Sequence, residues 1–141
     1  MGTAIFVRGM VVGEPWALRL FGGRRYQEAL YCYQVTVEHL NQARKVQACG
    51  DSTATVGALV ASLGSLRHAV AILAPGGQSV GSPSQDSVRC VVAAEYALAE
   101  ATKRMDTAAA HDTLKRAIQL ITEGAKGVAE TLGVNPPSPH P

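Results

Sequence analysis

Residues 56–73 read VGALVASLGSLRHAVAIL, and their apolar members Val56, Leu59, Leu63, Leu66, Val70 and Leu73 recur at steps of 3, 4, 3, 4 and 3. Steps that alternate between three and four place side chains on one stripe of an α-helix, because about 3.6 residues complete each turn. Gly57 and Gly64 weaken the segment as an isolated helix by about 1 kcal/mol each relative to alanine, so it is expected to form only when packed. Pro75-Gly76-Gly77 ends it. The stretch from there to Ser84 carries Gly, Ser and Pro without periodicity, as a loop does.

Upstream, Tyr26, Ala29, Leu30, Tyr33, Val37 and Leu40 form one helical face within Tyr26–Ala48, while Gln27, Glu28, Gln34, Glu38, Asn41 and Gln42 mostly point elsewhere. Tyr26 and Tyr33 read as core and Tyr31 as surface. Gly50 stops this helix, and Asp51 or Ser52 caps the next one. Downstream, a third segment runs from Asp86 or Ser87 to about Met105, with the narrow stripe Val91, Ala94, Leu98, Ala101 and Met105. Asp106 is placed to cap a fourth, in which Leu114, Ile118, Ile121, Ala125, Val128 and Leu132 step by 4, 3, 4, 3 and 4. Gly133 stands as its closing glycine, and Asn135-Pro136-Pro137 forbids continuation. Residues 4–21 fit a short helix better than a strand, since a lone strand would have nothing to pair with. A β reading of Ala4–Val12 stays open. The expected fold is all-α, an antiparallel bundle of four to five helices. Residues 1–25 form a basic segment with the first helix, 26–134 the bundle, and 135–141 an exposed Pro-rich tail.

The 141 residues suit one domain, and 47% hydrophobic against 17% charged residues is apolar enough to exclude a wholly disordered chain. A net charge of +2 does not call for nucleic acid, and no basic run with interleaved aromatics follows Arg24-Arg25. Arg8, Arg19, Arg24 and Arg25 against Glu14 make the first 25 residues basic, which keeps a mitochondrial presequence as an alternative that Pro15 and the glycines fit poorly. Arg8 and Glu14 interrupt every candidate secretory stretch, and no apolar run approaches the roughly 20 residues needed to cross a bilayer. Cys32, Cys49 and Cys90 are odd in number and form no CxxC pair. They point to neither a disulfide framework nor zinc, and favour a reducing cytosol.

Catalytic and cofactor patterns are sparse. His39 and His68 have no His, Asp or Glu four residues away, and His111 follows Asp106 by five, the wrong spacing for two ligands on one helical face. His140 belongs to the tail. His111-Asp112-Thr113-Leu114-Lys115-Arg116 resembles the histidine followed closely by Leu-Lys-Gly of histidine phosphotransfer domains, a third alternative, but has one residue too many before the leucine and arginine in place of glycine. Gly22-Gly23 and Gly76-Gly77 lack phosphate-loop spacing and read as turns. No metal, no cofactor and no catalysis are expected.

Gly23-Arg24-Arg25-Tyr26-Gln27-Glu28-Ala29-Leu30, continuing through Leu40, Ala43, Lys45 and Ala48, resembles the second helix of MIT (microtubule-interacting and transport) domains. Those three-helix modules open that helix with Gly-x-Tyr-x-Glu-Ala-Leu. Here one extra residue separates glycine from tyrosine. Residues 88–101 resemble their third helix, which likewise places alanine after tyrosine at a packing position. Tetratricopeptide hairpins use the same vocabulary and form the near alternative, a self-associating bundle with 56–73 and 114–132 as the seams of a homo-oligomer. The MIT resemblance implies docking of short peptide tails, such as those of endosomal-sorting filament subunits or autophagy partners, in an interhelical groove. It also implies a cytoplasmic or endosome-associated module. On this chain the floor of such a groove would be Val37, Leu40, Val91 and Leu98, with Glu95, Lys103 and Arg104 as rim charges.

Overall fold

A computed structural model describes residues 23–73, 83–105 and 107–138. Those residues form four α-helices with no strand among them: α1 Arg24–Ala48, α2 Ser52–Leu73, α3 Pro83–Thr102 and α4 Ala108–Leu132. The expected helix within residues 4–21, the loop over 74–82, the Asp106 cap and His140 lie outside the described residues.

Each boundary has a local cause. Gly50 adopts φ 81°, a left-handed conformation that glycine reaches without strain, and this lets three residues turn α1 into α2. The Asp51 carboxylate then accepts the Ala54 amide hydrogen at 3.0 Å, capping α2. α3 begins at Pro83, three residues earlier than Asp86, because proline is well suited to a first turn whose amides have no partner inside the helix. It ends at Thr102, so Met105 falls in the following turn. Thr107, adjacent to the expected Asp106, caps α4 by accepting the Ala110 amide hydrogen at 3.1 Å. Gly133 (φ 74°) donates to the Ala129 carbonyl at 2.8 Å, and Val134 donates to the same carbonyl, closing α4.

Long-range hydrogen bonds fix how the helices run. Arg25 at the start of α1 donates to the Ile72 carbonyl at the end of α2 (2.7 Å), and Ser62 in mid-α2 donates to the Thr36 carbonyl in mid-α1 (2.8 Å). α1 and α2 are therefore antiparallel. Ser87 near the start of α3 donates to the Gly124 carbonyl late in α4 (2.7 Å), and Ala97 and Glu100 near the end of α3 share a surface with Thr113 and Arg116 near the start of α4, so the second pair is antiparallel as well. α4 also packs against α1 and α2, and α2 packs against α3.

The stripes read from sequence bury largely as expected. Leu59, Leu63, Leu66, Val70 and Leu73 of α2 enter the core, and so do all six apolar positions named on α4. In α1 the buried row is Tyr26, Ala29, Tyr33, Thr36, Leu40 and Ala43, with Leu30 and Val37 only half-buried. Thr36 can occupy the interior because its hydroxyl donates to the Cys32 carbonyl one turn back (2.7 Å) and leaves no unmet donor.

α2 is 22 residues long and apolar enough to cross a bilayer by length and composition. Counting uninterrupted apolar runs misses this, because Ser, Thr and Gly break the run without adding charge. Here one face of α2 is core, and Arg67 and His68 lie on its exposed side. Gly57 and Gly64 also lie on that side, and a methyl group added at either meets nothing within 4 Å. Gly57→Ala and Gly64→Ala are each expected to raise the unfolding free energy by about 1 kcal/mol with an unchanged denaturant slope. A loss of stability in urea melts of either variant would count against the exposed placement.

Candidate functional site

Where α2 and α3 run side by side, the short side chain of Ala71 leaves the two helices incompletely joined on the outside. A groove of about 300 Å³ results, lined by Arg67, Val70, Ala71, Val88, Val91, Val92 and Glu95. Val92 is 46% exposed, and Tyr96, one turn further along α3, is 73% exposed. Arg67 and Glu95 pair across the rim. Both side chains stay well solvated, so this pair contributes under about 1 kcal/mol to the fold and its charges remain open to exchange partners. A larger depression, about 640 Å³, lies among Cys49–Thr53, Met105 and Thr107. There the Asp51 carboxylate already caps the start of α2.

No family model, no curated protein and no solved structure matches this chain.

The seven residues expected to build a groove between Tyr26–Ala48 and Val88–Met105 do not come together in one. α1 and α3 each pack on α2 and α4, not on one another. Leu40 is fully buried, and Val91 and Leu98 are nearly so, with Val91 reaching the α2/α3 groove at its base. Glu95 is on that groove's rim. Lys103 lies in the turn after α3, 3.5 Å from Glu100, and Arg104 is exposed there, its carbonyl accepting from Thr107. Val37 belongs to a different surface, beside residues 135–138.

That second surface is a furrow along α1, bounded on its other side by residues 135–138. Residues 135–141 were expected to be an exposed tail, yet 135–138 fold back along α1. Tyr33 donates to the Asn135 carbonyl at 2.7 Å, Arg44 donates to the Ser138 carbonyl at 2.7 Å, and Pro137 is buried. Burial pushes the Tyr33 phenol up to about 12, so it keeps its proton and remains a donor at neutral pH. Arg44 also donates to Thr122 Oγ1 on α4 at 2.9 Å, while the Thr122 hydroxyl donates to the Ile118 carbonyl. The only prior sign in the sequence was a tyrosine and an arginine eleven residues apart along α1, flanking Val37.

Among the described residues, no group of three His, Cys, Asp or Glu side chains is placed to hold a metal ion. His111 is half-buried near the start of α4, with its carbonyl accepting from Gln47 at 3.3 Å. Burial raises the thiol pKa of both Cys32 and Cys90, assisted by Glu28 at the first and by Glu123 and Asp86 at the second. This disfavours their nucleophilic thiolate forms.

Proposed function

We propose that the four helices act as an antiparallel bundle whose role is non-catalytic docking of a short peptide, and that the α2/α3 groove is its seat. The observation that carries this reading is the open apolar floor of Val70, Val88, Val91 and Val92 beneath an exposed pair of opposite charges. Most of the other large apolar side chains on the four helices are at least half-buried in the core. A peptide offering one or two Leu or Val anchors would bury them on the floor, and charges of its own would trade with Arg67 and Glu95 to set orientation.

MIT-like adaptors are the class this reading favours, with tails of endosomal-sorting filament subunits as the first peptides to try. The groove lies between different helices from those the resemblance implied. Self-association through residues 56–73 and 114–132 is disfavoured, because both seams are consumed inside the chain.

Fluorescence anisotropy with labelled tail peptides tests the proposal. Val92→Asp should weaken binding by about tenfold or more, the effect of removing an interface anchor worth at least 1.4 kcal/mol. Its melting temperature should change little, since the position is half in solvent. Absence of binding by any apolar-anchored peptide, or equal binding by Val92→Asp, would remove the basis for docking at this groove.

A further inference from the structure

The furrow along α1 holds residues 135–138 by main-chain carbonyls, and a grip of that kind does not depend on who supplies the chain. Two contacts that hold residues 135–138 run from side chains to carbonyl oxygens: Tyr33 to Asn135 and Arg44 to Ser138. Those carbonyls are three residues apart, the repeat of a polyproline helix, and Pro136-Pro137 between them favours that conformation in advance. Arg44 is held in place by Thr122 as well as by the strand. Its guanidinium would therefore remain a preset donor if residues 135–138 left, and the buried Tyr33 ring keeps its hydroxyl on the same side of α1. The strand also fills its furrow incompletely, with about 430 Å³ bounded by Gln34, Val37, Glu38 and Asn41 beside it.

We infer that this furrow is a second binding site, specific for an extended proline-bearing strand of a partner protein, and that Asn135–Ser138 is a displaceable occupant that masks it. The tether gives the resident strand a high effective concentration, so a partner peptide engages weakly until the strand is released. Main-chain recognition by an aromatic hydroxyl and a guanidinium, with a buried proline between, supplies specificity for an extended Pro-containing ligand and tolerance of the flanking side chains. This site is on a different face from the α2/α3 groove and stands or falls independently of it.

The test uses a labelled peptide, Asn-Pro-Pro-Ser-Pro-His-Pro, copying residues 135–141, added to three proteins: the full chain, a chain ending at Val134, and the full-length Pro137→Arg variant. Both released proteins are expected to bind it at least about tenfold more tightly than the full chain does, reflecting loss of the tethered competitor. Tyr33→Phe or Arg44→Met in the shortened chain should abolish that gain. Circular dichroism reports whether the released proteins remain helical. Three results overturn the inference: released proteins that stay folded but bind no better than the full chain, released proteins that unfold, or a full chain that sediments as a dimer dissociated by removing the strand. The second would make the strand a structural strap. The third would assign the furrow to a second copy.

Discussion

Leu40→Asp is expected to unfold the chain, with loss of the helical circular dichroism signal at 25 °C. Leu40 lies in the middle of α1 and is fully buried. Removing a leucine from such a site costs about 2–5 kcal/mol, and leaving a carboxylate without a partner there adds several more. The sum rivals the roughly 5–15 kcal/mol that hold an ordinary domain together. Leu40→Met, which nearly conserves volume, should lose less than about 1.5 kcal/mol. The contrast matters because α1 amphipathicity alone allows Leu40 to floor an open groove, where aspartate would spare the fold and block a ligand. A cooperative melt of Leu40→Asp within a few degrees of the parent would falsify the buried placement.

Gly124→Leu carries the second large effect, through steric crowding. A single Cβ at this position would stand 2.9 Å from Leu66 Cδ2 and 3.3 Å from Cys90 Cβ, with the Ser87 carbonyl at 3.7 Å. The Leu66 methyl can swing aside, but Cys90 Cβ is fixed to the α3 backbone. A whole isobutyl group therefore forces α3 and α4 apart along their Ala-rich contact, where Ala94, Ala97, Ala101, Ala117 and Ala125 are buried. Overpacking of this kind typically costs 1–3 kcal/mol, and about 3 kcal/mol or more is expected here because the Ser87–Gly124 hydrogen bond is strained as well. Chemical denaturation gives the value. A change below about 0.5 kcal/mol would mean the two helices are further apart than described.

Much of the helical framework was legible because its signals are local. The alternation of three and four steps in Val56–Leu73 and Leu114–Leu132, the turn at Gly50 and the closing Gly133 each depend on a few neighbouring residues. Burial on α1 was less legible, since Thr36 and Ala43 replace Leu30 and Val37 in the innermost row. A hydropathy stripe counts threonine as polar, yet in a helix its hydroxyl can satisfy itself on the preceding turn, as Thr36 and Thr131 both do. The candidate site was the least legible part. Which helices become neighbours depends on how two hairpins pair, and nothing in the spacing of Val37, Leu40, Val91 and Leu98 reveals that α1 and α3 pack mainly on α2 and α4. The docked strand was hidden for a related reason: proline-rich composition reports that a segment cannot be helical, and is silent on whether a distant tyrosine and arginine await its carbonyls.

Ser62 on the Thr36 carbonyl and Ser87 on the Gly124 carbonyl behave as indexing pins. The Ala-rich faces of α3 and α4 are smooth enough to slide by one turn, about 5.4 Å, with little change in apolar contact, whereas the larger Tyr and Leu side chains between α1 and α2 already resist such a slip. A one-turn slip would drag each hydroxyl off its acceptor and strand a donor in a dry interior, at about 1–3 kcal/mol apiece. Each hairpin thus has a preferred alignment that a buried hydroxyl helps to choose, seconded in the first by Arg25 on the Ile72 carbonyl.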